Sequence, residues 1–168
     1  MSNNYIVING KKAELTNEQM ELLGIKARNN PFERVSKNES YYIISNKACV
    51  MRYTEGEDET DQGLYNTVNY FNDFQFANQV GLHQLLYRKL LKFAYDNECE
   101  DTKGWNGTDG HWTIRYNDDS CCFRAYYQER FKASGVYFSS EEGTQRAIKE
   151  VVEPFMKEHP EFVWWKEK

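Results

Sequence analysis

The chain opens with two short segments that flank a turn. Residues 5–8 and residues 11–15 are separated by Asn9-Gly10. Because Asn-Gly readily takes the positive φ values of a two-residue turn, these segments predict an N-terminal β-hairpin. The stretch Thr16–Gln19 then has the pattern of a capping box, in which side chains bond the first free backbone N–H groups of a helix. A short helix over about 17–23 is therefore predicted.

From residue 41 onward one pattern of strand-forming residues occurs twice. Tyr42-Ile43-Ile44 and Trp112-Thr113-Ile114 each open an aromatic and β-branched stretch that is broken by a turn and continues as a second strand. Later come the aromatic pairs Tyr70-Phe71 and Tyr137-Phe138, each followed by a helix-capping residue and, three positions beyond it, Gln or Glu. The pattern predicts two degenerate strand-strand-strand-helix units.

The helices of these two units follow from apolar spacing. One broad apolar face predicts a long helix from about Asp73 to Tyr95, and a second is predicted from about Ser140 to Val152, bent or restarted at Pro154. The expected fold class is α+β: two degenerate antiparallel strand-hairpin plus helix units packed as one domain, with an N-terminal β-hairpin and short helix. We divide this single domain of residues 1–168 into an N-terminal part (1–40), a first unit (41–96) and a second unit (111–158).

The C-terminal tail carries four large apolar residues in a row, Phe162, Val163, Trp164 and Trp165. Leaving them in water would forfeit the free energy of burying apolar surface, about 25 cal/mol per Å². Two arrangements would cover them. The tail folds back over its own chain, or it forms a self-complementary contact in a homo-oligomer.

Composition and charge narrow the class of protein. The 168 residues carry 21 Lys+Arg against 26 Asp+Glu, a formal charge of -5, which argues against a surface that tracks the phosphates of nucleic acid. No apolar run reaches the roughly 18 residues that a membrane span needs, and the first ten residues lack the pattern of a secretory signal. We therefore expect no membrane partner and reduced cysteines in a cytoplasmic protein.

The segment 54–61 concentrates acidic side chains. An EF-hand reading fails, because Gln62 and Val68 stand where that loop requires Gly and a bidentate Glu. Two interpretations remain: a solvated negatively charged loop between strands, or an electrostatic surface for a basic protein partner. The candidate protein-interaction residues are Glu55, Glu57, Asp58, Glu59 and Asp61.

Catalytic and metal motifs give a weak signal in this sequence. The cysteines are too scattered for a structural zinc site, and the chain has no nucleophile elbow, phosphate-binding loop or dinucleotide fingerprint. We expect no cofactor and no metal. His111 lies at the mouth of a Gly-rich loop near Asp109, which leaves one catalytic alternative, a hydrolase acting on a nucleotide.

Aromatic residues alternate with arginine in the second unit. Flat rings and guanidinium groups suit the binding of a nucleobase and its phosphate, or a protein hot spot. The competing interpretation is a sheet that packs its aromatic face on helices and leaves its arginine face wet. The candidate ligand-binding residues are Trp105, His111, Trp112, Arg115 and Arg124.

Several short motifs together resemble a known group of proteins. They are Asn9-Gly10-Lys11, Leu15-Thr16 with Gln19, Pro31-Phe32-Glu33-Arg34-Val35, Tyr41-Tyr42-Ile43, Asn69-Tyr70-Phe71 and Tyr137-Phe138-Ser139-Ser140-Glu141-Glu142. In these motifs the chain is similar, over essentially its whole length, to small accessory proteins of phages and prophages of low-GC Gram-positive bacteria. The resemblance implies a role in the host cytoplasm, and it carries over no catalytic residue. It favours a non-enzymatic antagonist of a bacterial defence system, which sequesters a nucleotide immune signal or occludes a host defence protein.

Overall fold

A computed structural model describes residues 5–8, 10–23, 30–117, 119–130 and 132–164. Strands β1 (Tyr5–Ile8) and β2 (Lys11–Glu14) pair in antiparallel fashion, and helix α1 (Asn17–Leu22) follows. The predicted capping box is present, because the Gln19 N–H donates to Thr16 Oγ1 at 3.2 Å and the Thr16 N–H donates to Gln19 Oε1 at 2.9 Å. The N-terminal hairpin and short helix are thus confirmed, although Asn9 of the turn lies outside the described residues.

The first unit contains strands β3 (Ser40–Ile44) and β4 (Val50–Thr54), paired antiparallel. Its third strand is reduced to one bridge, in which Tyr42 and Phe71 exchange two backbone hydrogen bonds of 2.7 and 2.9 Å. Helix α3 (Phe74–Asp96) comes next and begins at Asp73, whose carboxylate accepts from the Phe76 N–H. The long helix is confirmed to within one residue.

The second unit repeats this topology with a longer ladder. Strands β5 (His111–Asn117), β6 (Cys122–Gln128) and β7 (Tyr137–Phe138) form an antiparallel sheet of order β6-β5-β7. Helix α4 (Glu141–Ala147) begins at Ser140 and continues through a π-helical turn (Ile148–Val152) into α5 (Glu153–Glu158). The helix does not end at Pro154, where a bend or restart is predicted. A π-helical turn ends just before this residue instead, since proline lacks the N–H that a regular turn requires.

Backbone pairing shows the internal repeat directly. The first strand of each unit pairs with the aromatic pair that precedes the helix, through Tyr42–Phe71 in one unit and Trp112–Phe138 in the other. The helix cap follows two residues later in both, at Asp73 and at Ser140. The strand pairing is the alignment that the sequence pattern predicts, and the chain has an α+β fold. The caps lie one residue beyond Asn72 and Ser139, the positions that the spacing to Gln75 and Glu142 predicts.

Helix α3 separates the two units and packs against both. Its N-terminal part places Ala77 against Ile44 and Phe71 of the first unit. Its C-terminal part supplies one wall of the main hydrophobic cluster, and the second unit supplies most of the rest. No helix in the described part of the chain combines the length and apolar character that a bilayer crossing requires. The buried α3 residues in the main cluster are Leu82, Leu86, Leu90, Phe93 and Ala94.

The acidic segment differs from the predicted loop. Helix α2 (Glu59–Asn66) begins inside it, capped by Asp58, whose carboxylate accepts from the Asp61 N–H. The prediction of a loop over the whole of 54–61 is wrong, because Asp58 and Asp61 form a capping box. Glu55 and Asp61 are also not solvated: their exposed fractions are 1% and 4%.

The tail packs against its own chain. Phe162 is buried in the main cluster, with its ring 5.3 Å from that of Phe155 and 4.6 Å from that of His83. Val163 donates its N–H to the Gln79 side chain, and Trp164 lies edge-on to Phe123 at 4.9 Å. For these residues the structure has the intramolecular arrangement of the two considered, while Trp165 lies outside the described residues.

Candidate functional site

His111 and Trp105 lie together, as the sequence suggests, but in a closed arrangement. His111 is fully buried, and the Trp105 indole stacks on its imidazole with ring centroids 3.7 Å apart and planes 9° apart. The His111 Nδ1 lies 2.5 Å from Asp101 Oδ2. Asp109, the partner considered for a hydrolase, instead accepts a hydrogen bond from Asn106. The carboxylate that orients His111 is therefore Asp101.

The His111 imidazole is enclosed by neighbouring rings. Trp105 covers one face of His111, and Tyr137 lies edge-on to both rings. Nε2 of His111 is buried and has no hydrogen-bond partner within the described residues. A general base must reach the proton that it abstracts, within about 3 Å or through one water. In this closed form, the His111 cluster stabilises the loop over residues 101–110.

The other three candidate ligand residues divide between the two faces of the β6-β5-β7 sheet. Arg115 and Arg124 stand directly opposite each other on β5 and β6, so they share a face. Trp112 points to the other face, where it packs edge-on to Tyr127 and against the main cluster. The Arg115 guanidinium lies 3.7 Å above the Tyr126 ring. The structure therefore does not bring the five candidates into one pocket.

A cavity of about 680 Å³ lies where α3 faces β5, the loop before β7 and the tail. We call it the α3–β5 cavity. Its volume is within the range of about 300–1,000 Å³ that small-molecule sites occupy. Arg115, a candidate ligand-binding residue, and Trp164, a residue of the apolar tail, both line this cavity. The lining residues are His83, Leu86, Tyr87, Leu90, Thr113, Ile114, Arg115, Tyr116, Ala133, Ser134, Gly135, Val136, Tyr137 and Trp164.

The lining of the α3–β5 cavity differs in charge from the rest of the chain. None of the described residues that line it is Asp or Glu, although the chain has five more acidic than basic residues. Arg115 and His83 are its ionisable nitrogen groups, and burial lowers the pKa of His83. Four aromatic rings and several aliphatic side chains complete it. The cavity suits a ligand that is aromatic and neutral or negatively charged.

Sequence reasoning did not find most of this lining. His83 and Tyr87 are one helical turn apart on α3, and that spacing was the available signal for a shared surface. The loop 133–136 gave no signal, because it reaches the cavity only through the pairing of β7 with β5.

The acidic candidates also separate into two sets. Glu57, Asp58 and Glu59 are exposed, and Glu57 forms an exposed ion pair with Lys37. Glu55 and Asp61 are internal: the Arg34 guanidinium holds the pKa of Glu55 below its usual range, and the Tyr41 hydroxyl does the same for Asp61. Only the exposed set is available to a protein partner.

The Trp105 stack yields a prediction about its role. Trp105→Ala removes the ring that covers His111, so we expect about 1–2 kcal/mol lower unfolding free energy from lost packing. Because Trp105 does not line the α3–β5 cavity, ligand affinity should stay within twofold. Denaturant unfolding and calorimetric titration measure the two effects. A tenfold loss of affinity in a folded Trp105→Ala protein would place the ligand at the stack instead.

Comparison of the chain with protein-family models, with curated proteins and with solved structures gives no match. The fold and the cavity therefore define the candidate site by geometry alone.

Proposed function

We propose that the protein is a non-enzymatic binding protein whose α3–β5 cavity holds a nucleotide. The observation that carries this proposal is the cavity itself, about 680 Å³, aromatic, with one arginine and no carboxylate among its described lining residues. A chain of net charge -5 that keeps acids out of one cavity favours an anionic ligand there.

The side chains around the cavity match the parts of a nucleotide. Tyr87, Tyr116 and Trp164 offer ring faces and edges for a base, because aromatic stacking tolerates any base. Arg115 and Ser134 are suited to a phosphate, the first through charge-assisted hydrogen bonds and the second through its hydroxyl. For Arg115 this requires its guanidinium to leave the Tyr126 ring.

Sequestration rather than hydrolysis is favoured by the placement of His111. Its imidazole is covered by Trp105 and is absent from the described lining of the cavity. A protein that binds a nucleotide without consuming it lowers the free concentration in proportion to its own amount. The sequence resembles small accessory proteins of phages and prophages. In that role, such a protein would withhold a nucleotide immune signal from the host defence system.

Occlusion of a host defence protein is the second candidate function. It is favoured by Glu57, Asp58 and Glu59, which remain exposed beside one another at the start of α2. A basic partner would bind this surface with an affinity that falls as salt rises.

Calorimetric titration with AMP, GMP, CMP and UMP, followed by heat denaturation and chromatography of the released compound, tests the proposal. We expect at least one of these to bind and to be recovered intact. Ala133→Trp, at an exposed lining position, should weaken that binding at least tenfold because its indole fills the cavity. Ala133→Ser is the matched control and should change it less than twofold.

Three results would contradict the proposal. Product accumulation would indicate catalysis, and an unchanged affinity in Ala133→Trp would move the ligand elsewhere. Failure of these four mononucleotides and of dinucleotides to bind would favour the protein-occlusion function. The corresponding measurement is salt-dependent capture of a host protein that is lost on replacing Glu57 and Glu59.

A further inference from the structure

The α3–β5 cavity is the first of three neighbouring hollows along α3. On the exposed face of α3, a hollow of about 400 Å³ is lined by His83, Gln84, Tyr87 and Arg88. It shares His83 and Tyr87 with the α3–β5 cavity. It shares Gln84 and Arg88 with a further cavity of about 430 Å³ beside the end of β3, which we call the β3 cavity. The three hollows are therefore neighbours across α3, and we call them together the groove.

The two end cavities are built from corresponding segments of the repeat. The β3 cavity uses residues 44–46 and 67–69, and the α3–β5 cavity uses residues 114–116 and 134–136. In each unit these are the end of the first strand and the three residues before the aromatic pair. The register places them equivalently, since Tyr42 pairs with Phe71 and Trp112 with Phe138. The groove thus has two related ends on either side of one helix.

Charge along the groove is consistent from end to end. None of the described residues that line the three hollows is Asp or Glu. Arg88 lines both the β3 cavity and the hollow on α3, so this residue lies between the two. Guanidinium groups bind phosphate through paired hydrogen bonds. The aromatic rings at the two ends are Phe32 in the β3 cavity and Tyr116 and Trp164 in the α3–β5 cavity.

We infer that the groove binds one dinucleotide, with a base in each end cavity and the phosphate linkage at Arg88. This inference rests on the proposed function and specifies its ligand. Two bases joined by a linkage that spans both cavities make the second contact intramolecular, which raises affinity by about 10²–10⁴ without any change in either contact. A mononucleotide fills one end and gains nothing from the other.

The test compares dinucleotides with their halves. ApA, GpG and the cyclic dinucleotides of adenine and guanine are titrated against the protein beside AMP and GMP. We expect one dinucleotide per chain, bound at least tenfold more tightly than the corresponding mononucleotide. The quantity compared between variants is the ratio of the dinucleotide affinity to the mononucleotide affinity.

Two pairs of variants locate the second end and the linkage. Val68→Trp, at an exposed position of the β3 cavity, should reduce the ratio to about one. Leu91→Trp, which adds the same ring at an exposed position of α3 outside the described lining, should keep the ratio. Arg88→Gln should reduce the ratio at least fivefold, whereas Lys89→Gln, on the same helix but outside the described lining, should keep it. Circular dichroism melting confirms that each variant is folded.

The outcomes separate this inference from the function on which it rests. If mononucleotides bind and dinucleotides bind no more tightly, or if Val68→Trp and Arg88→Gln leave the ratio unchanged, the inference is overturned and the α3–β5 cavity remains a mononucleotide site. If neither mononucleotides nor dinucleotides bind, the proposed function fails together with the inference.

Discussion

Glu55→Ala is expected to lower the unfolding free energy by about 3 kcal/mol, since it removes one partner of a buried ion pair. The carboxylate accepts four hydrogen bonds: two from Arg34 at 2.9 Å each, one from the Tyr70 hydroxyl at 2.8 Å and one from the Glu57 N–H at 2.7 Å. The side chain of Glu55 has no exposed surface and that of Arg34 retains 29%. The substitution leaves a partly buried cation and two further donors without their acceptor.

Glu57→Gln is the matched control for this prediction. Its ion pair with Lys37 joins two side chains that are both more than half exposed, so the expected change is within about 0.5 kcal/mol. Urea unfolding of both variants at neutral pH measures the difference. Equal stabilities would show that the Glu55 network contributes nothing beyond a surface pair.

The same network gives the sign of the pH dependence. Arg34 lowers the pKa of Glu55, and the Tyr41 hydroxyl, 2.5 Å from the Asp61 carboxylate, lowers the pKa of Asp61. Both groups therefore contribute stability that is present above the unfolded carboxyl pKa of about 4 and is lost as the pH falls through the lower folded values. We expect Glu55→Ala to lose less stability than the wild type on acidification below about pH 4.

The second large effect is expected at the tail. Phe162→Ala should cost about 3 kcal/mol, because the ring is 4% exposed and packs against Phe155 in the main cluster. The glutamine at position 79 fixes the same segment from both sides: its amide donates to the Glu161 carbonyl, and its oxygen accepts from the Val163 N–H. Deletion of residues 162–168 removes the Phe162 packing and the Val163 hydrogen bond together, and it should lower Tm further.

Mass measurements decide what the tail does. We expect Phe162→Ala and the deletion to lower thermal stability while the mass in solution stays that of the wild type. Glu161→Ala, which alters an exposed side chain and keeps the carbonyl that Gln79 bonds, is the control and should change Tm little. Conversion of a larger wild-type species into a folded monomer would instead assign the tail to an interface between chains.

Local signals predicted most of the architecture. Asp73 and Ser140 cap their helices, and the aromatic pairs before them pair with the first strand of each unit, because caps and alternation are encoded within a few residues. Helix α2 was missed because its capping box uses Asp at the third position in place of Glu or Gln. Its acids were then interpreted as a solvated charge run.

The candidate site depends on contacts between distant segments, which local patterns do not encode. Arg115 and Trp164 were singled out for separate reasons, and α3 brings them to one cavity with His83 and Tyr87. Trp105 and His111 were expected to grip a ligand, and they stack on each other instead. Composition identified the aromatic and basic residue types, but only the tertiary arrangement determines which of them remain accessible.

The position of α3 between the two units sets an order for assembly during synthesis. The helix belongs by sequence to the first unit, yet Leu86, Leu90 and Phe93 face residues of the second, including Phe138 and Phe155. A ribosome completes these apolar positions some 60 residues before Phe155. We therefore expect the first unit to expose this apolar surface until the second unit has been synthesised and covers it.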